Sequence, residues 1–265
     1  MPDIKGQLRE LQARLVEQMR VNAELEEALR LAEIRALQAQ VNPHFLFNTL
    51  GTIAGQALLE GADETARVSQ ALARLLRYTL RQIDKLVTLR QEMSHVRDYL
   101  LIQETRFGSR IRATILLEDA AEDCLIPPLT VQPMVENAIL HGLERLEQGE
   151  LLIKAGTARS QVEMVEIVVQ DNGVGITPDQ LQFIVAELSQ GVTGQASSPG
   201  NGPHEDDSGP RARGHTTGIG IVNVDRRLKY VFGREHGVTL TSGVGRGTTL
   251  TLTFPAITEK CQLEV

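Results

Sequence analysis

The chain contains no Trp, and aromatic residues make up only 3% of its 265 positions. Any flat ligand must therefore sit mainly among aliphatic side chains. Cysteine is equally scarce: Cys124 and Cys261 stand too far apart in sequence for a disulfide scaffold, which points to a reducing cytoplasm. No apolar run approaches the roughly 18 residues of a membrane span, and Met1-Pro2-Asp3 opens no signal peptide. There is no basic excess either. Lys and Arg total 27 against 34 Asp and Glu, a formal charge of −7, which argues against nucleic acid as a partner. What remains is enough for a real core: 42% of the residues are hydrophobic, in a length that suits one or two domains of about 150 residues.

The charge is uneven. Residues 1–110 hold 15 basic and 14 acidic side chains (+1), and residues 111–265 hold 12 and 20 (−8). Two units with different work are expected. The first opens with a seven-residue rhythm: Ile4, Leu8, Leu11, Leu15, Gln18, Asn22, Leu25, Leu29, Ala32, Ala36 and Ala39 are spaced by alternating fours and threes. Over residues 1–36 this reads as a coiled coil or as one amphipathic helix. Polar Asn22 on the seam favours a dimeric register. Helical patterns follow over residues 43–60, 65–82 and 89–107, with no strand-like alternation between them, so the first 110 residues form a helical unit.

The texture changes after Gly108. Strands are expected at 111–118, 151–155, 164–170, 238–242 and 248–254, with the nearly continuous Val/Ile run at 164–170 reading as a buried strand. Helices are expected at 130–143, capped by Thr130, and at 178–188 and 220–232. Residues 189–217 hold 6 Gly, 3 Pro and 4 Ser and read as a mobile loop. Strands on one side and helices on the other give an α+β fold: an α/β sandwich following the helical unit.

Three clusters in the second half carry chemistry. Glu136-Asn137-Ala138-Ile139-Leu140-His141 places Asn137 and His141 four apart on a helix, with Glu136 one step round. An Asn carbonyl and a carboxylate can hold Mg²⁺ or its waters, although an Asn–His pair satisfied within the fold is commoner. Asp171-Asn172-Gly173-Val174-Gly175-Ile176 ends the Val/Ile strand. A carboxylate there can accept from an exocyclic amine, and an ordinary strand-ending turn does not require the second glycine. Gly218-Ile219-Gly220-Ile221 opens a helix bearing Asn223, Arg226 and Arg227, and glycines at a helix N-terminus can cradle phosphate.

In this order the clusters resemble the ATP-binding domain shared by histidine kinases, gyrase-type ATPases, Hsp90-type chaperones and MutL-type repair proteins. The resemblance implies ATP as ligand, with Asn137 holding Mg²⁺ and Asp171, Gly173 and Gly175 reading adenine. Gly218 and Gly220 would lie at the phosphates after a lid at 189–217, and Thr248 in Gly245-Arg246-Gly247-Thr248 would support Asp171. The competing Gly-X-X-X-X-Gly-Lys-Ser/Thr loop is absent from the sequence.

Gln38-Ala39-Gln40-Val41-Asn42-Pro43-His44-Phe45-Leu46-Phe47-Asn48-Thr49-Leu50 resembles the phosphoacceptor block of LytS-type sensor histidine kinases. Arg77-Tyr78, His95-Val96-Arg97-Asp98-Tyr99-Leu100, Ile126-Pro127-Pro128-Leu129 and Gln132-Pro133-Met134-Val135-Glu136-Asn137 are similar to the same family. The likeness covers about residues 37–256. It implies His44 as phosphoacceptor, in a dimerisation domain at 37–110, and an ATP-binding domain at 111–256 with a tail at 257–265. An imidazole, ordinarily of pKa about 6.5, offers a nucleophilic nitrogen near neutral pH without a strong base. Pro43 starts a helix capped by Asn42 or kinks one, and Asn48 lies one turn on, placed to orient the ring. Without the family, a His among Phe and Leu would read as a satisfied core residue.

Phe45 stands where other sensor kinases carry an acidic residue, leaving Glu136 as the candidate proton acceptor. Leu140 stands where many relatives have Lys, so His141 or Arg226 is the candidate phosphate contact in its place. His95 and His141 read mainly as structural or as supports behind the site's own contacts. His204-Glu205-Asp206-Asp207 reads as a solvated run or a metal site. The implied partners are a second copy of the chain, a response-regulator receiver domain, and a sensory or membrane input region or a separate partner supplying the signal. The implied reaction is ATP-dependent autophosphorylation of His44 and transfer to an Asp. An ATPase clamp of the gyrase or Hsp90 type and a non-catalytic dimeric scaffold are the alternatives.

Overall fold

The computed structural model describes residues 43–81, 85–157, 164–189 and 219–258. The coil at 1–36, the start of the phosphoacceptor block at 38–42, the loop at 190–217, Gly218, His204, His215 and the tail from 259 lie outside the described residues, as does the question of whether Asn42 caps a helix at Pro43. The chain divides into two units, Met1–Thr49 and Leu50–Val265.

Helix α1 (Pro43–Leu59) includes the described residues of the first unit. It ends at Gly61, whose φ of 73° suits glycine in the left-handed region, while Ala62 N–H reaches back to the Ala57 carbonyl at 2.8 Å. Helix α2 (Asp63–Arg81) has Asp63 and Glu64 in its first turn, where carboxylates favour the helix dipole, and buries Ala66, Ala71 and Leu75. Helix α3 (Leu89–Phe107) has the bounds its sequence announces. Thr88 accepts from the Gln91 N–H while the Gln91 side chain accepts from the Thr88 N–H, and Gly108 ends the helix.

One feature interrupts the helical pattern. Strand β1 (Val87–Thr88) pairs antiparallel with β3 (Leu125–Ile126), two residues on each side. So short a pairing has no period to read in sequence. It fixes the entry to α3 and the segment Pro127–Val131 that leads to the site.

The main sheet contains β2 (Ile111–Leu117), β4 (Gly149–Thr157), β5 (Met164–Asp171), β6 (Gly237–Ser242) and β7 (Thr248–Pro255), in the order β2-β4-β5-β7-β6. β2 runs parallel to β4 and the other pairs are antiparallel. The Val/Ile run of β5 is buried on one face: Val165, Ile167, Val169 and Asp171 point inward, while Glu166 and Gln170 are exposed. An antiparallel sheet with a single covered face alternates in this way.

Helices α4 (Gln132–Asn137), α5 (Pro178–Ser189) and α6 (Ile219–Phe232) cover the inner face. Met134, Ile139, Leu143, Ile184, Ile221 and Leu228 join Ile153, Ile167, Leu252 and Phe254 in one core, which also takes in Met93 and Val96 of α3. The fold is α+β, a sheet layer against a helix layer. The helix expected over 130–143 runs from Gln132 to Leu143, α as far as Asn137 and widening to one π turn over Ala138–Leu143. Its cap is a correction: Thr130 does not cap it. The Thr130 hydroxyl donates to the Pro127 carbonyl at 2.6 Å, and Pro133 occupies the first turn instead.

Candidate nucleotide and phosphoacceptor sites

Asp171 ends β5, and the strand register sets it opposite Thr248, the first residue of β7. It is only 6% exposed. Its Oδ1 accepts the Gly173 N–H at 2.8 Å and the Thr248 N–H at 3.2 Å. Burial pushes the carboxyl above its usual range, and these two donors partly offset that. Oδ2 accepts no hydrogen bond among the described residues, which leaves it open to a donor such as an exocyclic amine.

Glycines crowd this carboxylate and its turn, and at three of them a Cβ would clash. A Cβ on Gly142 would stand 3.0 Å from Asp171 Oδ1, and one on Gly173 would stand 2.6 Å from Oδ1 and from the Gly142 backbone. At Gly175 (φ 71°) a Cβ would meet the Gly243 carbonyl oxygen at 2.0 Å; at Gly247 (φ 76°) it would meet the Asp171 carbonyl oxygen at 2.0 Å. Gly247→Ala thus combines a positive-φ penalty with a main-chain clash. It should cost about 2 kcal/mol of stability and lower the melting temperature by several degrees in a thermal melt.

Thr248 supports Asp171 through its backbone N–H; its hydroxyl lies 2.9 Å from Ser242 Oγ. Ser242 in turn accepts the Ile176 N–H at 2.9 Å and donates to the Gly247 carbonyl at 2.8 Å, joining the turn after β5 to the turn before β7. Gly142, Ser242, Gly243 and Gly247 are thus site residues that sequence reading missed, and only Gly247 lay within a motif singled out there.

The π turn links Asp171 to the Asn-bearing helix. Its Gly142 carbonyl accepts the Val174 N–H at 3.1 Å. One turn earlier, Glu136 and Asn137 are half-buried, with Glu136 Oε1 accepting from Gln132 Nε2 at 2.6 Å. Gly220, in the first turn of α6, comes next to Asn137: a Cβ there would lie 3.6 Å from Asn137 Nδ2. Gly173 and Thr248 thus meet at Asp171, Gly220 meets Asn137, and the π turn joins the two places. His141 is exposed on the π turn and Asn223 is exposed on α6. Arg226 is paired with Glu187 at 3.3 Å, and Arg227 donates to the Leu129 carbonyl at 2.6 Å, so neither guanidinium is idle.

One carboxylate and one amide side by side suit Mg²⁺, which keeps several waters and takes phosphate oxygens as ligands. Among the described residues no group of three or more His, Cys, Asp or Glu could build an all-protein metal cage. The donor set at Glu136 and Asn137 therefore fits a cation brought in with a phosphate chain.

In the first unit His44 is exposed on α1, with the Asn48 amide 3.4 Å from its Nδ1 and 3.3 Å from its Nε2. Thr49 donates to the Phe45 carbonyl at 2.8 Å, and the Phe45 ring is 65% exposed. The His44 imidazole is thus accessible, as a nucleophile must be.

Residues 32–111 match the histidine kinase family, and residues 128–258 match the histidine kinase-, DNA gyrase B- and HSP90-like ATPase family. Among solved structures, the histidine kinase domain from the Erythrobacter litoralis EL346 blue-light activated histidine kinase is 16% identical. That match covers 81% of this chain and 94% of that one, with a TM-score of 0.42. The sensor histidine kinase YesM of Bacillus subtilis is 32% identical over 93% of this chain, and the sensor histidine kinase/phosphatase LytS of Staphylococcus aureus is 34% identical over 86% of it. The chain spans 37% and 35% of the length of these two relatives. A histidine kinase block followed by its ATPase block, together with the likeness to LytS and YesM over most of the chain, places the chain in the histidine kinase family.

Proposed function

We propose that the chain is the kinase portion of a two-component sensor, using Mg²⁺·ATP to phosphorylate His44 and passing the phosphoryl group to an Asp of a response regulator. The observation that carries this reading is Asp171. A buried carboxylate with one oxygen pinned by two backbone N–H groups, walled by glycines and open at the other oxygen, is built to read an amine. Asn137 and Glu136 hold Mg²⁺ in this reading, and the Gly220 end of α6 meets the phosphates with its free N–H groups. Gly218, Asn223, Arg226 and His141 complete the phosphate contacts.

In the reaction an imidazole nitrogen of His44 bonds to the γ-phosphorus while the bond from that phosphorus to the β–γ bridging oxygen breaks. ADP leaves, and the imidazole loses its proton, with Glu136 the proposed acceptor and Asn48 orienting the ring. Positioning and charge neutralisation supply most of the rate. The domain assignment follows the sequence reading: a signalling coil at 1–36, a dimerisation and phosphoacceptor domain at 37–110, and an ATP-binding domain at 111–256 with a lid at 189–217. The working form is a homodimer whose coil receives its input from a sensory or membrane region or a partner.

No helix among the described residues is long and apolar enough to cross a membrane, and we place this kinase portion in the cytoplasm. The half of the chain assigned to ATP carries a charge of −8, so attraction must be local and must come largely through the cation. Millimolar ATP should raise the melting temperature by several degrees with Mg²⁺ and by a small fraction of that in EDTA. Equal shifts in the two buffers would contradict this reading. No shift in either buffer would leave only a non-catalytic scaffold.

A further inference from the structure

The most deeply buried carboxylate among the described residues is not in the nucleotide site. Glu92 on α3 has no exposed surface, and its oxygens accept the Val131 N–H at 2.9 Å, the Leu129 N–H at 3.1 Å and the Tyr78 hydroxyl at 2.5 Å. Between those two N–H groups the backbone is strained. Leu129 has φ 56°, the only positive φ outside glycine among the described residues. A residue with a Cβ holds that conformation only when its surroundings over-determine it. They do so here, because Arg227 of α6 grips the Leu129 carbonyl at 2.6 Å from the other side. The turn that launches α4 is thus fixed from α2, α3 and α6 together.

A second chain of contacts continues from this turn into the site. Tyr78 stacks on the His95 ring with centroids 4.0 Å apart. His95 is 3% exposed, and its Nε2 is hydrogen-bonded to Gln132 Oε1. An amide oxygen only accepts, so Nε2 must carry the proton. That orientation turns the Gln132 amide nitrogen toward Glu136, to which it donates at 2.6 Å. Desolvation lowers the His95 pKa, in keeping with a neutral ring that has one N–H to give.

We propose that His95 and Gln132 are positioning residues, a two-step relay that fixes the Glu136 carboxylate for Mg²⁺·ATP. The inference rests on the reading of Glu136 and Asn137 as the cation site and adds the pair that sets their geometry. Glu136 has several rotatable bonds, and a carboxylate free to swing would meet the cation only part of the time. The amide of Gln132 holds one oxygen and leaves the other to the cation or its water. His95 matters because it forbids the flipped amide, which would set an oxygen against the carboxylate.

The test uses the whole chain with Gln132→Leu, His95→Leu, His95→Gln and the Gln132→Leu/His95→Leu double variant. Autophosphorylation is measured against Mg²⁺ and against ATP. Gln132→Leu should raise the Mg²⁺ needed for half-maximal rate about tenfold and lower kcat by a similar factor, as loss of one hydrogen bond to a charged group would. Binding of ADP in EDTA should stay at the parental level. His95→Leu should match it, the double variant should be no worse than either single, and His95→Gln, which keeps an N–H donor, should recover most of the rate. A parental Mg²⁺ requirement in Gln132→Leu, or a double variant whose loss is the product of the singles, would overturn the relay. Gln132 is half-buried, so its variant decides the matter even if His95→Leu fails to fold. Glu136→Gln serves as the control: if it shifts the Mg²⁺ requirement and Gln132→Leu does not, the cation site stands and the relay alone falls.

Discussion

Replacing His44 with Gln should abolish labelling of the chain by γ-labelled ATP, a loss of at least about a thousandfold, while ATP affinity stays within about twofold of the parent. The two halves of that expectation have separate causes. Gln has a side-chain amide whose nitrogen lone pair is delocalised, so nothing at position 44 can attack phosphorus. The surroundings barely register the change: His44 is exposed, and its ring makes its hydrogen bonds to Asn48 within the same helix. Gln is a good helix former, and an exposed substitution of this sort costs within about 0.5 kcal/mol. A thermal melt with and without Mg²⁺·ATP separates lost chemistry from lost folding. Labelling of the variant at the parental level would remove His44 as acceptor.

The second large effect is expected at Asp171, where affinity and stability should move in opposite directions. Asp171→Asn should weaken ATP binding about a hundredfold, near 3 kcal/mol, by titration calorimetry. The Asn oxygen must take the place of Oδ1 to keep the N–H bonds from Gly173 and Thr248, so the NH₂ falls where Oδ2 was. A donor then faces the donor of an adenine amine. Stability at neutral pH should nevertheless hold or rise. Burial raises the native carboxyl pKa above its unfolded value, so the folded chain binds that proton more tightly. The associated stability is fully present below the unfolded pKa and is lost as pH rises through the native one. Asn carries no such cost. The melting difference, variant minus parent, should grow as pH climbs from the unfolded carboxyl range through the raised native value, then level off. A variant less stable than the parent at pH 7 would mean that the ionised carboxylate holds the fold together.

The contrast between legible and hidden features follows from what each depends on. Helix α3 announces itself because its signals are local: Thr88 and Gln91 close the capping box, and Gly108 ends the run. The same holds for Asp171, Gly173 and Gly175, whose spacing along one turn is itself the signal. Gly142 stays hidden because the need for a small residue there is set across the fold, by the Asp171 carboxylate, and Gly243 because it enters the site only as the carbonyl that Gly175 approaches. The Val/Ile run of β5 likewise marks a buried strand without saying whether one face or both are covered. Glu92 is the hardest case. In sequence it is one charge among many on a helix, and only the turn at Leu129, brought against it by β1 and β3, turns it into an anchor. The π turn at Ala138–Leu143 had no local mark either. Its effect is to carry the Gly142 backbone to Asp171.

The central claim is that ATP bound at Asp171 and Asn137 gives up its γ-phosphoryl group to His44. The most direct measurement is to incubate the unmodified chain with Mg²⁺ and γ-labelled ATP and to follow both the protein-bound label and released phosphate. A phosphoramidate on His44, stable to alkali and lost in acid, is the predicted result. Steady phosphate release with no labelled protein, or a label that maps to another residue, would contradict it.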